Sequence, residues 1–66
     1  MGVHKVVEVL AFSTKSWEDA AQEAVKQVSK NVRNIESVYI KEMSGKVIDN
    51  QIVQYRVNAK VTFGIE

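Results

Sequence analysis

The chain contains no cysteine and only one histidine, His4. Disulfides and thiolate metal sites are therefore excluded, and a lone imidazole does not make a zinc staple. Charge of one sign is missing as well. Nine Lys and Arg stand against eight Asp and Glu, a formal net charge of +1. Acids and bases are interspersed, as at Lys41-Glu42, so the basic stripe of a nucleic-acid binder is absent. No apolar run approaches the roughly 20 residues of a membrane span. Glu8 interrupts Val6 to Phe12, so the N-terminal stretch lacks a secretory pattern. These absences predict a soluble, cytoplasmic protein. There is no nucleophile with a base at hand, no glycine-rich phosphate loop and no paired active carboxylates, which argues against an enzyme. His4, alone and near a terminus, is read as neither ligand nor base.

With 66 residues the chain is read as one domain, 1–66, with no linker, repeat or low-complexity segment. A core this small needs reinforcement. Without disulfides or metal, self-association is the route left open.

The most informative stretch is Ile52 to Ile65. Val53, Tyr55, Val57, Ala59, Val61, Phe63 and Ile65 alternate with Gln54, Arg56, Asn58, Lys60, Thr62 and Gly64. That period of two is a strand with one apolar and one polar face. Fourteen residues extend to about 46 Å. A compact chain of this size has a radius of gyration near 11 Å. The strand must bend hard or project beyond its own domain, and other copies of the chain are the expected destination.

Val3 to Phe12 is also a strand by its β-branched content. Val7, Val9 and Ala11 share one face while Val6, Leu10 and Phe12 share the other, so both faces call for cover. One helix covers only one of them, a second indication of assembly. Ser13 to Ser16 breaks the strand. Ser16 is placed to cap a helix, with Asp19 at the capping-box position. Trp17, Ala20, Ala21, Ala24, Val25, Val28 and Val32 then recur at three- and four-residue spacing, predicting a helix over 17–33. Three small alanines on that face let the helix lie close to a sheet. Trp17 is read as packing over the helix–sheet edge.

Ile35 to Met43 returns to strand, with Ser37, Tyr39 and Lys41 on one face. Ser44-Gly45 suggests a bulge or kink, Lys46 to Ile48 continues the strand, and Asp49-Asn50 suits a tight hairpin. The helix between the first two strands returns the chain parallel and leaves a slot one strand wide. The long last strand fills it. The expected fold is α+β: a β-α-β-β protomer whose three-stranded antiparallel sheet, order 1-3-2, wraps on one helix.

Val7-Glu8-Val9, Ser16-Trp17-Glu18-Asp19-Ala20-Ala21, Lys41-Glu42 with Gly45, and Tyr55-Arg56-Val57 followed by Val61-Thr62-Phe63 together resemble the dodecin family. The resemblance covers nearly the whole chain. It implies a non-enzymatic protein assembling into a hollow homododecamer, with pairs of flavins (riboflavin or FMN) stacked at two-fold axes. It places the ligand site at Ser37, Tyr39, Glu42 and Arg56. Two of these depart from the flavin-binding pattern. Ser37 stands where the stacking tryptophan lies, and Arg56 where a flavin-contacting glutamine lies. A stacked ring is worth about 1–3 kcal/mol, which Tyr39 and the planar Arg56 guanidinium offset in part. The Ser16-Trp17-Glu18 and Tyr55-Arg56 spellings are similar to those of non-flavin members, including calcium-binding ones. Divalent-cation binding, or a role as an oligomeric scaffold, is therefore the alternative the resemblance implies. Calcium takes six to eight oxygens, and the only adjacent carboxylates, Glu18-Asp19, diverge on a helix.

Overall fold

The computed structural model describes residues 2–65, so Met1 and Glu66, the ends of the expected domain, lie outside the described residues. The elements follow in the order β1 (His4–Ser13), α1 (Trp17–Ser29), β2 (Ile35–Ile48) and β3 (Gln51–Gly64). The sheet is antiparallel with β3 in the middle, β1-β3-β2, as the slot argument requires. Both expectations for the sheet's architecture hold. No helix among the described residues is long and apolar enough to cross a membrane.

Helix α1 starts where the sequence places it. Ser16 is extended, and its hydroxyl accepts the Asp19 backbone N–H at 2.9 Å. The Asp19 carboxylate turns to the Ser13 hydroxyl, which donates to it at 2.6 Å, so the serine-rich break is tied to the helix start. The helix ends at Ser29 rather than at 33. The Lys30 and Asn31 N–H groups reach back only three residues, to Gln27 and Val28, and the turn tightens. Asn34 then takes a left-handed backbone (φ 61°) that ends any continuation. Val32 keeps its apolar position, half-buried, although it lies past the helix.

The core is three alanines and three valines: Ala20, Ala24 and Val28 on α1 against Val57, Ala59 and Val61 on β3. The small alanines bring α1 close to the middle strand. Val7, Val9 and Ala11 of β1 pair with Val61, Ala59 and Val57 and flank this core, half-buried.

The far end of the sheet is different. Strand β1 stops at Ser13, opposite Tyr55. Beyond it β2 and β3 continue as a bare two-stranded arm, residues 46–54, whose tip is Asp49-Asn50. Both tip residues are left-handed (φ 53° and 64°), as a two-residue turn with the sheet's twist demands. Of the two options for the long strand, projection is the one realised. The molecule measures 50 × 19 × 13 Å with a radius of gyration of 13.4 Å.

Strand β2 runs unbroken through Ser44-Gly45, and the bulge expected there is absent. Its irregularities lie between Ile35 and Ser37, between Ile40 and Glu42, and between Lys46 and Val47. Gly45 has another reason. A Cβ there would lie 3.2 Å from the Ile52 Cγ2 and 3.8 Å from the Trp17 ring. Trp17 lies over this glycine, donates its indole N–H to the Ser44 carbonyl at 2.9 Å, and meets Tyr55 edge-on at 4.8 Å. Its reading as a packing residue holds.

Candidate functional site

Helix α1 covers one face of the sheet. The other face carries the residues singled out from the sequence. Since Val57, Ala59 and Val61 point into the core, Arg56, Asn58, Lys60 and Thr62 point the opposite way. Directly opposed residues share a face, so Ser37 sits with Thr62, Tyr39 with Lys60 and Glu42 with Asn58. Strict alternation from Tyr39 would have turned Glu42 toward the helix. The bulge after Ile40 corrects this and lets Lys41 and Glu42 both serve the outer face. Lys41 Nζ reaches across the middle strand to Glu8 Oε2 at 3.7 Å.

Two of the four expected residues come together. Glu42 and Arg56 line an open groove of about 700 Å³ with Leu10, Phe12, Ser44 and Asn58. Arg56 is held by its Nε, which donates to the Gln54 amide oxygen at 3.0 Å. Ser37 and Tyr39 lie farther along the same face and outside this groove, Tyr39 64% exposed.

Leu10, Phe12 and Asn58 are among the groove residues that were not singled out as ligand contacts. Leu10 is 80% and Phe12 61% exposed, and Phe12 lies directly opposite Arg56. Their signal was present in the second apolar face of β1, which had no intramolecular cover. Asn58 gave no signal beyond its polar place in the alternation. Its side-chain oxygen is buried without a hydrogen-bond partner among the described residues. Trp17 belongs to the opposite face of the sheet and takes no part here.

A dodecin family profile matches residues 3–66. The chain belongs to the dodecin family. Among curated relatives, the calcium dodecin of Mycobacterium tuberculosis is 33% identical over 63 residues, covering 96% of this chain and 89% of the relative. Solved dodecins superpose closely. An arginine-to-alanine mutant of the T. thermophilus dodecin gives a TM-score of 0.91 at 30% identity, covering 97% of this chain and 96% of that one. The M. tuberculosis calcium dodecin, described as a calcium-chelating antigen with a novel calcium-binding site, gives 0.82 at 31% identity, covering 98% and 93%. The β-α-β-β fold and the family resemblance carried by the sequence agree with these matches.

The residues present test each group the family implies. For a planar ring, the groove offers Phe12, Leu10 and the Arg56 guanidinium on one face, with acceptor and donor groups at Glu42, Ser44 and Asn58. For calcium, no three acidic or histidine side chains come together among the described residues. The described residues of one chain thus gather no carboxylate cluster of the kind calcium's six to eight oxygens draw on.

Proposed function

We propose that this protein is a small-ligand-binding dodecin, a binding protein rather than an enzyme. It holds a flavin-type ring on the outer sheet face within a homododecameric shell. The observation that carries this is the groove pairing exposed Phe12 with Arg56, beside Leu10 and Glu42. Apolar and aromatic side chains on an open strand face bind well only when a second surface closes over them. A sister chain brought face to face would sandwich the ring and exclude water. Phe12 takes up the stacking that Ser37 does not provide, while Arg56 donates to ring carbonyls or a phosphate. Tyr39 and Ser37 stand beyond the groove, where they meet the ligand's extension or the partner chain.

The test is a fluorescence titration of riboflavin and of FMN with the purified protein. Binding predicts quenching that saturates at micromolar protein and weakens about tenfold or more in Phe12→Ala, from the stacking lost. Absence of quenching removes the flavin reading.

Divalent-cation binding is the second reading, favoured by the relatedness to a calcium dodecin. Carboxylates on the outer face, Glu8 and Glu42, would then join those of neighbouring copies, since no three acidic or histidine side chains cluster among the described residues. Calorimetry with calcium, read against a Glu42→Gln variant, tests it. Heat that is absent, or unchanged by the variant, contradicts a site at Glu42.

A further inference from the structure

The one histidine of the chain has a partner far off in the sequence. His4 Nε2 lies 3.0 Å from Oε1 and 3.1 Å from Oε2 of Glu36, so a single ring nitrogen addresses both oxygens of one carboxylate. The pair joins β1 to β2, the two edge strands, across the end of β3. Three local features permit it. His4 stands directly opposite Gly64. Glu36 is the extra residue of a bulge, since Ile35 pairs with Phe63 and Ser37 with Thr62, and it is free of the ladder. Gly64 leaves the space, because a Cβ there would lie 3.0 Å from Glu36 Oε2 and 3.9 Å from the His4 ring. Its backbone φ is not positive, so the missing side chain answers to this close approach and not to conformation.

We propose that His4, Glu36 and Gly64 form a pH-operated latch on this end of the sheet. The backbone already ties it, with the Gly64 N–H donating to the Asn34 carbonyl at 2.9 Å and the Ile65 N–H to the Val3 carbonyl at 3.0 Å. Among the described residues lining the hollow here, His4 and Glu36 alone are titratable. Gly64 and Thr62 of β3 carry no charge, and Lys5 and α1 lie on the other face of the sheet. Facing a carboxylate, Nε2 carries a proton and donates it whether or not the ring is charged. A second proton on Nδ1 turns that hydrogen bond into an ion pair. The latch is therefore tighter where the imidazole is charged. It slackens as pH rises through the range of about 5 to 8 in which histidine loses its charge. The two side chains are 46% and 51% exposed. Water screens such a pair, so the opening of the strand end changes by about threefold. The change is local. It loosens Gly64, Ile65 and the bulge before Ser37, and it leaves the core beneath α1 as it was.

The test is amide hydrogen exchange of the full chain at about pH 5.5 and about pH 8, each rate divided by that of an unstructured peptide at the same pH. In the parent, Gly64 and Ile65 are protected about threefold more at the lower pH. Ala59 and Val61, in the middle of the sheet, serve as the reference and keep the same protection at both. His4→Gln retains a neutral donor and abolishes the difference. Gly64→Ala sets a methyl against Glu36 Oε2, turns the carboxylate aside without changing any charge, and abolishes it as well. The proposal is overturned if the parent shows no difference at Gly64 and Ile65, or if the difference survives in either variant. It is overturned too if Ala59 and Val61 change in step, since the whole sheet and not a latch would then be opening.

Discussion

The two ends of the sheet are built from the same two strands yet live in different surroundings. At the helix-covered end, β3 buries Val57, Ala59 and Val61 beneath α1 and is paired on both edges. At the arm, the same strand has one neighbour, no helix, and an apolar set left in solvent. Local preference for extended backbone is alike in both, since each is rich in β-branched residues. What separates them is cover. The covered end has its cover within the chain, whereas the arm has none there.

The comparison breaks most severely at Val61, which has no exposure. Val61→Asp puts an unpaired charge in the core and costs more than about 4 kcal/mol. Urea denaturation followed by circular dichroism should find that variant unfolded. Charged substitution in the arm leaves the fold standing.

At the boundary between the two ends, Gly45→Val drives a side chain against Ile52 and Trp17. A cost of about 1–3 kcal/mol is expected for such overpacking. Trp17 is the sole tryptophan, so its fluorescence should shift as the ring leaves Ser44 and Tyr55. An unchanged spectrum contradicts the seat assigned to it.

Ser16→Ala removes the helix cap and should lower stability by about 1 kcal/mol, read from the urea midpoint. The smallest effect is expected at the pair Lys41–Glu8, half-exposed on the outer face. Lys41→Gln should change stability by less than about 1 kcal/mol. A larger loss would mean that the outer face of an isolated chain is better ordered than its exposure indicates.

Much of this division is legible in the residues themselves. The alternation of β3 and the three- and four-residue spacing of α1 identify both elements. The overlong strand and the two apolar faces of β1 announce the missing cover. The irregularities of β2 were not legible. A period-of-two reading assigns faces by counting, and each bulge adds a residue to the count without leaving a mark in composition. The bulge after Ile40 thus decides the direction of Glu42. Gly45 looked like a bulge because glycine often marks one, whereas the neighbour that crowds a Cβ there is Ile52 on the adjacent strand, at 3.2 Å. The helix end was misplaced because Val32 keeps the helical spacing after the helical hydrogen bonding has stopped. Of the residues singled out from the sequence, Glu42 and Arg56 line the groove together, whereas Phe12 reads as apolar and not as the partner of Arg56. That pairing depends on the β1–β3 register, which no local pattern states.

Sedimentation velocity of the unmodified protein at submicromolar concentration tests the central claim most directly. If sister chains complete the sheet, the protein sediments as an assembly well above the 7.4 kDa of one chain, with native circular dichroism. Folded single chains persisting at that dilution, with the arm's amides protected from hydrogen exchange, would contradict it.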